Sequence, residues 1–273
     1  KGLEALNALT EGKVHLNINA KSENADMFAQ AKGVEINSFS GSHPAGLVGV
    51  QIHHLDPINK GDVVWTLNPQ QVVFIGRLLT SGTVDLTQKV AIAGSDVKTP
   101  QYVETIVGVN VEAITNENVS NNNARYISGN VLTGSNIGST GYLGFFDHLV
   151  SIIPEGDEYE FMGWLFPSYP RPTISNSLPI SKFLKKNFVA NTNPHGEHRA
   201  YVVTGQYEKV MPMDIMPQQL IKSIIAKDLE QMENLGIYEV IEEDMALCEF
   251  VCTSKIDVQR VLSEGLELMA EES

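Results

Sequence analysis

The sequence predicts a mixed α+β chain of several domains, with three parts in succession. Residues 1–82 alternate between helical and strand periodicity, residues 83–170 carry short strands separated by glycines, and residues 171–273 carry long helical stripes. A length of 273 residues suits two or three domains of about 100–200 residues each. We therefore expect part of a parallel α/β layer in 1–82, a β-rich domain in 83–170 and a helical domain in 171–273.

The first part follows a helix, strand, helix, strand order. Leucines at 3, 6 and 9 have helical spacing, residues 14–18 alternate, residues 25–31 have helical character and residues 34–39 alternate again. A further helix is predicted from Asn68 to Leu79, because Pro69 suits a first helical turn and apolar residues then recur on one face. Gly82 is expected to end this helix.

The second part is predicted from short alternating runs bounded by glycine, asparagine or proline. Strands are expected over residues 84–93, 102–111, 126–132, 142–146, 149–153 and 159–164, with an asparagine-rich loop over 116–123. Four prolines between Pro167 and Pro179 indicate a linker or surface strap.

The third part is predicted to be a small helical bundle. Asp214 is expected to cap a helix that has Pro217 in its first turn and stops at Gly236. A second helix carries Met245 and Cys252, and a third begins near residue 257. The apolar stripes of these helices are interpreted as core rather than as a cofactor site.

Two runs in this third part keep the spacing of a two-cluster ferredoxin motif, C-x2-C-x2-C-x3-C-P, but have lost most of its cysteines. In a ferredoxin the fourth ligand of each run serves the cluster of the other run. The first ligand set would therefore be Tyr201, Thr204, Tyr207 and Cys252, and the second Glu242, Met245, Cys248 and Met211, with Pro212 as the closing proline. Each set keeps one thiolate, so neither is expected to hold a cluster. We expect the side chains at Tyr201, Tyr207, Met211, Met245, Cys248 and Cys252 to have become buried core.

Other candidate groups favour structural roles. His43, His53 and His54, and likewise His195 and His198, lack accompanying carboxylates or cysteines at metal-binding spacing. Two cysteines four residues apart suit buried thiols in a reducing compartment. The net charge of −14 is concentrated after Gln206, where it disfavours nucleic acid and the docking of this end on anionic lipid and permits a basic protein partner. No apolar run reaches the ~18 residues of a membrane helix.

Several blocks of the sequence closely resemble the A subunit of the Na+-translocating NADH:quinone oxidoreductase. The blocks are His43-Pro-Ala-Gly46, Gln51-Ile-His-His-Leu-Asp-Pro57, Val64-Trp65, Ile75-Gly-Arg-Leu-Leu-Thr-Ser-Gly82, Val90-Ala-Ile-Ala-Gly94, Arg125-Tyr-Ile-Ser-Gly129, Tyr142-Leu-Gly144 and Tyr207-Glu-Lys-Val-Met-Pro-Met-Asp-Ile-Met-Pro217. A wider resemblance, to the C subunit of the Rnf complex and the NADH-binding subunit of respiratory complex I, accounts for the ferredoxin spacing.

The resemblance implies the fold of each part. Residues 1–82 would be the C-terminal part of a Rossmann-like domain, 83–170 a β-grasp (SLBB-like) domain, and 171–273 a helical domain with vestigial ferredoxin motifs. The chain would be the C-terminal portion of the family, without its N-terminal domain. It would lie peripherally, on the cytoplasmic side of the bacterial inner membrane.

The leading functional hypothesis is a cofactor-free soluble subunit of a membrane-bound, sodium-pumping NADH:quinone oxidoreductase. By resemblance, NADH, flavins and iron centres belong to partner subunits, some of them membrane-embedded, and the fragment alone is expected to be inactive. A contribution to quinone binding is left open, and no catalytic, cofactor-binding or metal residues are assigned. The alternative is an iron–sulfur electron-transfer protein using Cys248 and Cys252. An independent flavin or nucleotide enzyme is disfavoured, because no glycine-rich phosphate turn is present.

Overall fold

A computed structural model describes residues 1–23, 25–159, 161–162 and 189–272. The predicted linker at 167–179 lies outside these residues, and the strand predicted over 159–164 lies partly outside them. The chain forms two compact units. The first unit comprises Lys1–Leu86, Val203–Phe250 and Asp257–Ser273, and the second comprises Thr87–Val202 and Val251–Ile256. The three-part division at residues 82 and 170 stays a prediction.

The first unit begins with a two-stranded parallel sheet. Strands β1 (His15–Asn19) and β2 (Glu35–Phe39) follow helices α1 (Gly2–Leu9) and α2 (Ala25–Phe28), which confirms the predicted helix, strand, helix, strand order. Helix α2 is shorter than the predicted 25–31. Its last amides bond to carbonyls three residues back, as in Ala31 N–H to Phe28 O, so the α-helix passes into a turn.

Two further helices, α3 (Val48–Leu55) and α4 (Pro69–Ser81), belong to the same unit. Asn68 caps α4 in a capping box with Gln71, and Gly82 ends the helix in the left-handed conformation, so the predicted signals at both ends are confirmed. Helices α1 and α4 pack closely because Gly2 has no side chain. A Cβ on Gly2 would lie 2.2 Å from the Val72 carbonyl oxygen.

The remaining helices of the chain are mostly short. In the region after residue 203 they are a 3-10 turn at Tyr207–Lys209, α6 (Pro217–Ala226), α7 (Leu229–Asn234), a 3-10 turn at Ile237–Glu239, α8 (Ala246–Val251) and α9 (Val258–Glu272). Gly265 of α9 allows a close approach to α6, since a Cβ there would lie 2.9 Å from Ile224 side-chain atoms. Helices therefore dominate this region, as predicted.

The predicted single helix from Asp214 to Gly236 is wrong in two respects. The N-cap residue is Met216 rather than Asp214, and the helix breaks at Lys227, which has a φ of +57°. Asp228 then starts α7 by accepting a hydrogen bond from the Gln231 N–H. A side chain that caps a helix satisfies amides at its first turn, so Asp228 stabilises the break.

The second unit is built on a five-stranded sheet in the order β4-β3-β7-β5-β6. The strands are β3 (Thr87–Ala93), β4 (Gln101–Ile106), β5 (Ala124–Ser128), β6 (Ser135–Asn136) and β7 (Leu149–Pro154). Strands β3 and β7 pair in parallel, and the other neighbours are antiparallel. The core of this unit consists of Val90, Ile92, Val97, Val111, Leu143, Val150 and Ile152. The mixed α/β class is confirmed.

Two strand predictions in this unit need correction. The strand predicted over 102–111 ends at Ile106, and α5 (Val111–Thr115) begins where the strand was expected to finish. Residues 142–146 form no strand and contribute only the single bridge between Tyr142 and Asn110. The Gly144 N–H donates to the Ser128 hydroxyl, at 2.9 Å, instead of joining a ladder.

Within the residues that the structure describes, no helix has both the length and the apolar character needed to cross a membrane.

Candidate functional site

The first candidate is the set of eight positions that keep the ferredoxin spacing, here called the ligand-frame residues: Tyr201, Thr204, Tyr207, Met211, Glu242, Met245, Cys248 and Cys252. In the first run, Tyr207 lies in its 3-10 turn and is buried, and Met211 is also buried. The Met211 N–H donates to the Tyr207 carbonyl oxygen at 3.1 Å, which closes the turn between them. Phenol and thioether side chains thus fill positions where the motif would have thiolates.

The second run has the same character. Met245, Cys248 and Cys252 are all buried, whereas Glu242 is half-buried. The two cysteines form no disulfide with each other. A buried thiol behaves as a small apolar side chain, so these three residues belong to the packed interior.

Five of the six ligand-frame residues predicted to be core are buried, and Tyr201 is the exception. Tyr201 is half-buried and is followed by the exposed residues Val202 and Val203. Position 204 is also exposed, and its backbone N–H donates to the side-chain oxygen of the buried Gln218 at 2.8 Å. The start of the first run is therefore held by hydrogen bonds rather than by apolar packing.

The donor atoms of the ligand frame do not fit an iron–sulfur cluster. Such clusters are held by four thiolates, or by two thiolates and two imidazoles in one variant, whereas each set here offers one thiolate with oxygen and thioether groups. In the described part of the chain, no three His, Cys, Asp or Glu side chains are arranged to hold a metal ion. We derive no chemistry through a cluster at these positions.

A second cluster of polar groups surrounds His53 on α3. Its Nε2 accepts a hydrogen bond from the Asp214 N–H at 3.0 Å, and its Nδ1 lies 2.7 Å from a carboxylate oxygen of Glu239. Because Nε2 is an acceptor, the proton is on Nδ1 and is donated to Glu239. His54 lies 2.9 Å, through Nε2, from the Pro212 carbonyl oxygen. Both histidines thus bind α3 to segments more than 150 residues away.

Asp244 is a buried carboxylate beside this cluster. One of its oxygens accepts a hydrogen bond from the Ile241 N–H at 3.2 Å, and the other has no hydrogen-bond partner among the described residues. Burial raises the pKa of Asp244 to about 6, with a smaller increase from Glu243, while the Ile241 hydrogen bond and His53 lower it. Gly49 of α3 leaves the space for this group, since a Cβ there would lie 2.2 Å from the carboxylate.

A shallow open pocket of about 310 Å³ lies on the same unit, lined by Ile58, Asn59, Lys60, Glu233, Gly236, Tyr238 and Glu239. One oxygen of Glu233 accepts from the Lys60 ammonium at 2.5 Å and from the Tyr238 hydroxyl at 2.8 Å. The hydrogen bond from Lys60 lowers the pKa of Glu233. These three side chains satisfy one another, so their arrangement has a structural explanation that needs no ligand.

The remaining histidines of the candidate list are exposed. His43 lies in the loop before α3, and His195 and His198 lie in a polar segment where the His195 N–H is held by the Asn193 side chain.

Sequence reasoning missed Asp244 and Glu239 as partners of the α3 region. Asp244 lies in an acidic run that resembles a solvated surface, and Glu239 meets His53 across a separation of 186 residues. No local pattern identifies either contact.

Comparison with known proteins agrees with this architecture. A family model described as the NqrA second alpha/beta domain matches residues 1–84, and one described as the NQRA C-terminal domain, an SLBB model, matches residues 89–138. The A subunit of the Na(+)-translocating NADH-quinone reductase of Pasteurella multocida is 38% identical over 273 residues, which is 99% of this chain and 60% of that protein. The chain belongs to the NqrA family.

Other NqrA relatives match to the same extent. The corresponding protein of Hahella chejuensis is 40% identical over 99% of this chain and 60% of its own length. That of Neisseria meningitidis serogroup B is 38% identical over the whole chain and 61% of its own length. The chain therefore spans about 60% of the length of these curated NqrA relatives. The α/β and SLBB regions of the NqrA family fall on the first and second units respectively.

Proposed function

We propose that the chain is part of a subunit that helps to build a membrane-bound, sodium-pumping NADH:quinone reductase. The observation that carries the proposal is the 38–40% identity to named subunits of such an enzyme over nearly the whole chain. The electron path from NADH would use flavins and iron centres on other subunits, some of them embedded in the membrane. The chain itself would be peripheral, on the cytoplasmic side, and inactive alone.

Within that complex we propose a cofactor-free role for this chain. The helical end would be the remnant of a two-cluster ferredoxin, with its ligand-frame residues converted to packing. The support is chemical: Tyr207, Met211 and Met245 are buried at positions where the motif requires thiolates. Met and Tyr are suited to this change, because the ring supplies volume and the flexible thioether fills irregular gaps.

Replacement of both thiols tests the cofactor-free role. In the assembled complex, Cys248→Ser together with Cys252→Ala should leave NADH:quinone activity within about twofold of wild type, because neither sulfur would carry electrons. Complex assembly, measured by co-purification, is the control. Loss of activity with assembly intact would contradict the proposal, and so would a thiolate-to-iron absorption band in the anaerobically prepared chain.

We also propose that the chain contributes to the quinone site. The support is that its NqrA relatives are named as subunits of a quinone reductase. Photo-crosslinking of the assembled complex with a short-chain azido-quinone, followed by peptide mapping, would decide. Labelled peptides from this chain would support the share, and labels confined to other subunits would exclude it.

A further inference from the structure

Helix α3 connects the α/β part of the first unit to its helical region. On one side, the Asn17 side-chain amide of β1 donates to the Gln51 side-chain oxygen at 2.9 Å. On the other side, His53 and His54 are hydrogen-bonded to the region after residue 203. Val50 is the only residue of α3 that is buried. Elements with few buried apolar side chains open at low free energy, so α3 depends on its polar contacts to stay in place.

The first turn of α3 packs against the carboxyl group of Asp244. A Cβ on Gly49 would lie 2.2 and 2.5 Å from the two carboxylate oxygens, so this group occupies the space that the glycine leaves. Asp244 is only 3% exposed, and one of its oxygens has no hydrogen-bond partner among the described residues. A carboxylate loses its hydration in such a place without replacement, whereas a neutral carboxyl group loses much less. The packed arrangement therefore favours the neutral form.

The groups around Asp244 do little to offset this preference. Burial, and to a smaller extent the negative charge of Glu243 in the same turn, raise the pKa of Asp244 to about 6, while the Ile241 N–H and His53 act in the opposite direction. His53 is neutral when its Nε2 accepts the hydrogen bond from the backbone, and its Nδ1–H is donated to Glu239. It therefore offers an ionised Asp244 little compensation.

We propose that the contact between Asp244 and Gly49 is a pH-sensitive latch, which holds α3 in place when Asp244 is neutral and releases it when Asp244 ionises. In the released state the carboxylate reaches water. The closed state keeps a proton that the open state gives up, so its advantage is complete below about pH 4 and is lost as the pH rises to about 6. Near neutral pH, α3 opens more often, and the α/β part and the helical region are joined more loosely. The latch does not depend on the proposed function.

Hydrogen–deuterium exchange of the full-length subunit, corrected for the intrinsic exchange rate at each pH, measures the opening of α3. Between pH 5 and pH 7.5 the protection factors of the α3 amides should fall about tenfold, as follows from pKa values of about 6 in the closed state and 3.8 in the open state. At both pH values α3 should exchange faster than α9, because its opening does not require the whole unit to unfold. The amides of β7 serve as the reference, because Asp244 lies in the other unit.

Three variants test whether the charge of Asp244 is responsible. Asp244→Asn keeps the shape but cannot ionise, so it should remove the tenfold fall. Glu243→Gln should reduce the fall, because it removes a neighbouring negative charge, and Glu267→Gln at an exposed position of α9 should leave it unchanged.

Two results would overturn the latch. One is a fall of unchanged size in Asp244→Asn, and the other is equal protection of α3 and α9 at both pH values, which would show that the unit opens as a whole. If Asp244→Asn does not fold, wild type and Glu243→Gln still decide, because α3 protection that does not change with pH in wild type contradicts the proposal.

Discussion

The strands of the two units have similar alternating sequences, but their side chains are buried to different degrees. In the second unit Val90, Ile92, Val150 and Ile152 are almost completely buried on the neighbouring strands β3 and β7. No residue of β1 or β2 in the first unit is buried. Parallel strands are stable when both of their faces are covered. Alternation therefore indicates a strand, while the packing elements around it decide how much that strand contributes to stability.

The largest effect expected from this difference is the loss of a core side chain in the five-stranded sheet. Ile152→Ala should lower the free energy of unfolding by ~2–5 kcal/mol, because it removes packed methyl groups and leaves a cavity. Ile18→Ala on β1 should lower it by about 1 kcal/mol or less, since Ile18 is only partly buried. Urea denaturation of the two variants measures both, and equal losses would refute the comparison.

Truncation of a buried side chain in the helical region should cost as much stability as in the five-stranded sheet, and more than in the two-stranded one. Met211 is buried, so Met211→Ala should destabilise the chain by ~2–5 kcal/mol. The exposed change Lys227→Ala should stay within ~0.5 kcal/mol. As a control for shape, Met211→Leu should cost less than ~1.5 kcal/mol. A small effect of Met211→Ala in the same denaturation assay would show that the former ligand positions are not core.

The first unit contains a buried carboxyl group, Asp244, whose protonation makes the stability of the chain depend on pH. The pKa of Asp244 is raised to about 6 in the folded chain, against 3.8 for the unperturbed group. Between these values the folded state holds a proton that the unfolded state has released, so this group makes stability fall as pH rises from about 4 to 6. Asp244→Asn should abolish that fall and should stabilise the chain at pH 7.5 by on the order of 2 kcal/mol. Thermal melts across this pH range measure the effect, with Glu267→Gln at an exposed position of α9 as the control. A fall of unchanged size in Asp244→Asn would refute the assignment.

The smallest expected effect is at the break between α6 and α7. Lys227 has a φ of +57°, a conformation that costs an L residue energy and that glycine adopts readily. Lys227→Gly should therefore stabilise the chain by ~0.5–1 kcal/mol, in contrast to the near-neutral Lys227→Ala. If both variants melt at the same temperature, the left-handed turn is not a source of strain.

The sequence is sufficient where the signals are local. Helix α4 follows from Asn68, Pro69 and Gly82, all of which act within a few residues of its ends. The break at Lys227 has one local signal, the N-cap Asp228, but the apolar stripe of α6 and α7 continues across it and favours a single helix. At 142–146 the local pattern is that of a strand, but no strand forms, because the hydroxyl of Ser128, 16 residues earlier, accepts the Gly144 N–H.

In the candidate site, too, the sequence predicts features that depend on residue type and misses contacts between distant segments. Burial of Met245 and Cys248 is predictable, because the residue types at these positions are themselves core residues. The contacts of His53 with Glu239 and with Asp214 are not, because they join segments far apart in the chain.

In the second unit, hydrogen bonds join the residues that follow β7 to Thr192 and Asn193. Arg125 pairs with Glu155, which accepts the Thr192 hydroxyl, and the Asn193 side chain donates to the Glu158 carbonyl at 2.7 Å. One carboxylate therefore holds the start of β5, the end of β7 and Thr192 at one place, so that loss of Glu155 would release all three together.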